Sequence, residues 1–146
     1  MKFSNKRQQF EGSNVSFNAN TVVAKSYDRW TFLAKNELGK VIFNNSTYSM
    51  STNRHQSKVK ALMLKHGIIP DLTLYNTRES LTSGKALQSE VVNTNFRIKQ
   101  LEIELSNPRR KKALDSDRQR VINSWKFHVF KVVTYLLGSE LNVSLN

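Results

Sequence analysis

There is no cysteine in this chain of 146 residues. Disulfides, thiolate zinc sites and cysteine nucleophiles are therefore excluded, and the composition suits a reducing cytosol. Proline occurs twice and glycine five times. No stretch approaches the roughly 18–20 apolar residues of a membrane span. The N-terminal "MKFSNKRQQFEGSN" has basic residues but no apolar segment of a secretory signal, so a cytoplasmic protein with no membrane partner is expected. Acidic residues are scarce as well: 11 Asp+Glu stand against 23 Lys+Arg, a net charge of +12 and a pI near 10.2.

That charge steers the molecule toward polyanions, nucleic acid first and an acidic protein surface second. The excess is spread along the whole chain rather than held in a tail, so folded elements must carry it. There is no internal repeat and no low-complexity tract. The Asn, Ser and Lys richness has the texture of an AT-rich coding sequence, which fits a phage or other mobile element.

The hydrophobic pattern predicts an α+β fold: a small three-stranded antiparallel sheet plus helix, followed by a C-terminal antiparallel helical hairpin. Residues 1–14 read as a flexible arm or short edge element, 15–68 as a sheet-plus-helix module, 69–83 as a connector, 84–138 as the hairpin and 139–146 as a polar tail. Strands are expected at 15–24, 29–35 and 40–48, rich in Val, Ile, Phe and Trp. The last two pair through "ELGK", with Gly39 supplying the turn conformation. A helix follows at 51–67, N-capped by Ser51 or Thr52. Its buried face is Val59, Leu62 and Met63; Gly67 takes the left-handed position after its end, and Ile68 the apolar position after that.

In 84–106, Leu87, Val91, Thr94, Ile98, Leu101 and Leu105 form a heptad seam with one polar member. In 113–137, Leu114, Val121, Trp125, Val129, Val132 and Leu136 mark a second, more aromatic stripe, ending at Gly138. Trp30, Phe32, Phe43, Trp125, Phe127 and Phe130 are expected in the core, while Tyr27 and Tyr48 are the candidates for base stacking. The C-terminal helices could also mediate a homodimer or bind a protein partner.

No catalytic constellation emerges. His55, His66 and His128 stand in no metal-binding spacing, and neither a nucleophile elbow nor a phosphate-cradling glycine loop is present. His66 reads as a helix C-terminal residue suited to the dipole and His128 as a core-edge residue; only His55 falls on a plausible active surface. A metal-dependent nuclease built from Asp71, Glu79 and a lysine is a remote alternative. No metal and no cofactor are expected.

Two basic surfaces point to nucleic acid, DNA or RNA. On the 51–67 helix, Arg54 and Gln56 could read base edges while Lys58 and Lys60 hold phosphates. At the hairpin tip, "SNPRRKKALDSDRQR" places Arg109, Arg110, Lys111 and Lys112 in an unbroken tetrad, with Arg118 further on. Asp115 and Asp117 read as dipole partners of the last helix. The order of three strands and a helix over residues 15–67 resembles the sheet-type DNA readers of the plant AP2 class, and less closely double-stranded-RNA-binding folds; it is a likeness of element order, with none of the AP2 motifs present. The function expected is thus non-catalytic nucleic-acid binding, regulatory or architectural. The alternative is a phage-type inhibitor that occupies an acidic surface of a host or defence complex.

Overall fold

The fold is that of a computed structural model describing residues 8–9, 14–47 and 49–145, with backbone alone for 8–9 and 139–145. The chain is α+β. It divides into two compact units, Met1–Ala86 and Leu87–Asn146.

The first unit holds one six-stranded sheet in the order β1-β2-β3-β4-β5-β6, where three strands were expected. The strands are β1 Gln8–Gln9, β2 Val15–Asn18, β3 Val23–Ser26, β4 Trp30–Lys35, β5 Val41–Asn44 and β6 Leu72–Leu74. The first five form an antiparallel meander, and β6 joins β5 in parallel, Ile42 opposite Leu72. A parallel partner requires a crossover, which helix α1, Met50–Lys65, supplies.

The run 15–24, expected as one strand, is a hairpin. The Asn18 side chain accepts from the backbone N–H of Asn20 at 2.9 Å and of Thr21 at 3.1 Å, an Asx turn that reverses the chain. Val22 then adopts φ +55°, a left-handed conformation rare for a β-branched residue; its side chain lies in the core cluster, and that burial offsets the strain. Tyr27 and Asp28 also have φ +55°, and the Arg29 N–H reaches the Ser26 carbonyl; with Ser26 paired to Trp30, three residues make this hairpin connection. The β4–β5 turn matches its expected place: Gly39 has φ +78°, and the Asn36 side chain accepts from Leu38 and Lys40.

Helix α1 is capped two residues before the first expected cap. Ser49, extended at φ −153°, accepts from the Thr52 N–H. At the other end Gly67 has φ +69°, the Ile68 N–H bonds the Met63 carbonyl at 2.8 Å and the Gly67 N–H bonds that of Leu64, which satisfies carbonyls of the last turn. Val59 and Met63 pack with Val15, Phe17, Ala24, Phe32, Leu33 and Phe43 in the core, and Leu62 and Ile68 lie against it. The segment read as a connector contains β6, with Leu72 and Leu74 buried. Its continuation is strapped to the sheet: Trp30 donates to the Arg78 carbonyl, Asn44 to that of Thr77, and the Leu81 N–H to that of Thr31.

The second unit is built on α2, Ala86–Ser106, and α3, Asp115–Leu145, with a short 3₁₀ turn at Lys112–Leu114 between them. Contacts between the helices descend α2 as they ascend α3: Glu104 with Arg118, Arg97 over Trp125, Glu90 with His128. That is an antiparallel register. Of the expected seam, Thr94 and Ile98 are buried; on α3 the buried residues are Ile122 and Val132. Leu114 lies in the 3₁₀ turn and is exposed. Phe127 and Phe130, expected in the core, are 68% and 69% exposed: they follow the stripe at spacings that turn them to the opposite side of the helix. Gly138 does not end α3, which runs on through the segment read as a tail; without a left-handed conformation a glycine weakens a helix but does not stop it. Among the described residues no helix is long and apolar enough to cross a membrane.

Candidate nucleic-acid interface

Helix α1 positions its polar side chains by the 100° step of an α-helix, and the sequence reading of that face needs correction. Gln56 is 3% exposed. Its amide nitrogen donates to the carbonyls of Asn44 at 2.8 Å and Ser46 at 3.1 Å, so it closes the end of β5 and does not face outward. His55 is buried too, its Nδ1 2.7 Å from Ser26 Oγ and its ring 5.2 Å from that of Tyr27. Burial first, and the Lys58 charge second, hold the imidazole below its ordinary pKa, which favours the neutral ring.

Arg54, Lys58 and Lys65 are exposed. Their spacings of four and seven residues align them along one flank of α1. Lys65 was not among the expected contacts, though the i, i+4, i+11 spacing is readable in the sequence. Tyr27 stands on the same side through its contact with His55 and is exposed; Tyr48 lies outside the described residues. Lys60 does not belong to this flank. Two residues beyond Lys58, it points about 200° around the helix, and its Nζ sits 5.9 Å over the Phe43 ring.

At the hairpin tip the tetrad separates into two kinds of cation. Arg110 Nε bonds both Asp115 oxygens, at 2.9 and 3.1 Å, and its guanidinium also donates to the Asn107 carbonyl. Arg118 reaches Glu104 at 3.3 Å, Asp115 at 3.7 Å and the Lys111 carbonyl at 3.2 Å. These two arginines fasten the turn. The hydrogen bond from Arg110 is the largest effect on the Asp115 carboxyl; burial opposes it next, and the charges of Arg110, Arg118 and Lys112 add to the bond, so the carboxyl is held below the usual range; the same bond raises Arg110. Arg109, Lys111 and Lys112 are exposed, and the Asn107 side chain accepts from the Arg109 N–H, which fixes the backbone that presents them. The tip cations belong to the second unit and the α1 cations to the first.

Among the described residues no three His, Asp or Glu side chains gather in a metal-binding arrangement. The Asp71 carboxylate accepts from the Val41 N–H at 2.8 Å and the Asp71 N–H bonds the Val41 carbonyl, so it ties β5 to the entry of β6. The pair missed in the sequence is Glu90 and His128: the fully buried carboxylate lies 2.7 Å from Nε2, with Thr94 Oγ1 at 3.5 Å. A lone Glu on a helix face gives no signal of a histidine 38 residues away. No family model matches the chain, and no curated protein and no solved structure matches it either.

Proposed function

We propose that the protein binds nucleic acid through its phosphates, without catalysis, in a regulatory or architectural role. The observation that carries this reading is the division of labour at the hairpin tip. Arg110 and Arg118 are spent on Asp115 and Glu104, and the turn they fasten presents Arg109, Lys111 and Lys112 outward. A like-charged cluster held on an ordered turn repels itself, and a polyanion relieves that repulsion. Arg54, Lys58 and Lys65 on α1 add a second row of cations, with the exposed Tyr27 ring beside it as a stacking surface. With Gln56 buried, the helix loses one of the two side chains expected to read base edges and keeps Arg54, which favours phosphate contacts over sequence readout.

The test is affinity for random duplex, single-stranded DNA and RNA at several salt concentrations. Binding that weakens steeply with salt is expected, since each phosphate contact releases condensed counterions. Weak binding to all three with no salt dependence would overturn the reading and favour an acidic protein surface as the target of the same cations.

A further inference from the structure

At the C-terminal half of α1 the first unit has an open groove of about 360 Å³. Phe43 and Met63 form its floor, and Leu64, Ile69 and Tyr75 stand along its walls. The wall residues are 84%, 79% and 44% exposed. Single exposed apolar side chains are ordinary, but three around one concavity form a contiguous apolar patch of the kind that marks an interaction site. Lys60 also lines the groove, its ammonium held over Phe43, and among the described residues no carboxylate does. β6, whose Thr73 contributes to the lining, is the last strand of the sheet, and a terminal strand is a template for an extended segment.

We propose that this groove docks a short extended segment of a protein partner whose groove-facing side chains, two residues apart, are apolar ones followed by a carboxylate. Strand geometry sends every second side chain to the same side: of those that face the groove, apolar ones enter between Leu64, Ile69 and Tyr75, and a carboxylate meets Lys60. The net charge of +12 steers an acidic segment in and a basic one away. Nucleic acid fits this site poorly, because the apolar walls offer a phosphate nothing. The inference is independent of the nucleic-acid reading, since it uses Lys60 and not the opposite flank of α1.

The experiment exposes the labelled full chain to immobilised libraries of pentapeptides whose first and third residues are leucine or phenylalanine and whose fifth is glutamate, glutamine or lysine, with serine between them. Capture by the glutamate library is expected, with little by the lysine library. Lys60→Gln should weaken the glutamate peptides about three- to fivefold, the scale of one exposed ion pair, and leave the glutamine peptides unchanged. Ile69→Ser, at a residue exposed enough to leave the fold intact, should weaken both while nucleic-acid affinity stays the same. No capture by the glutamate library, equal capture by the lysine library, or capture indifferent to Ile69→Ser would overturn the proposal.

Discussion

The side-chain amide of Gln56 donates to the backbone carbonyl of Asn44 at 2.8 Å, across the junction between strand β5 and helix α1. A second bond to Ser46 completes the closure. Gln56→Leu would leave two buried acceptors without this donor and should destabilise the first unit by about 1–3 kcal/mol. Urea denaturation measures it. A change below 0.5 kcal/mol with a large loss of sequence preference in DNA selection would return Gln56 to the role of a reader.

The tip residues should separate by function. Replacing Arg109, Lys111 and Lys112 together by Ser is expected to lower nucleic-acid affinity uniformly across sequences and flatten the salt dependence by up to about three charges. Stability should move within about 0.5 kcal/mol, as for exposed positions generally. Unchanged affinity and slope would make the tip an ordinary solvated turn.

Arg110 is expected to behave differently from its neighbours. Arg110→Ala removes the hydrogen bond that chiefly holds the Asp115 carboxyl low, so an NMR titration of that carboxyl should move up toward the ordinary aspartate value near 3.9. Because the folded-state value lies below the unfolded one, the pair contributes its stability above the unfolded value and loses it as pH falls through the folded one. That acid-side loss should be smaller in the variant.

His55 gives a second pH dependence at higher pH. Its imidazole is held below 6.5, chiefly by burial. The unfolded chain therefore takes up the proton first, so the stability from the neutral ring is complete above about pH 6.5 and declines as the medium becomes more acidic. The thermal midpoint of the first unit should fall over that window, and His55→Gln should remove this part of the slope. An identical slope in the variant would assign it to other groups.

In the second unit, His128→Ala should destabilise the helices by up to about 3 kcal/mol, because the fully buried Glu90 loses the partner 2.7 Å away. Phe127→Ser, at a largely exposed position, is the contrasting case and should change stability by less than about 0.5 kcal/mol. The reverse order, measured by helix unfolding, would mean that the aromatic is core and the Glu90–His128 contact is not.

Local chemistry made several elements legible. Gly67, Ile68 and Pro70 specify the end of α1 because a left-handed residue followed by a proline leaves the helix no continuation. Val59 and Met63 declare its buried face through their spacing, and "ELGK" between apolar runs declares the β4–β5 turn. The positive balance of charge is likewise a property of the sequence alone. Other features were settled by tertiary structure. The left-handed Tyr27–Asp28 turn carries no glycine or asparagine signal, and it is held by the strands on either side. β6 is three residues long, too short to register as a pattern, and becomes a strand only where β5 offers its edge. Gln56, Arg110 and Arg118 read as nucleic-acid contacts, and Glu90 carries no signal, until partners distant in the chain, or across a turn, fix them. A sequence states which side chains can bond or ionise; which of them remain for a ligand depends on the ones the fold consumes, and that is decided by distances no linear spacing encodes.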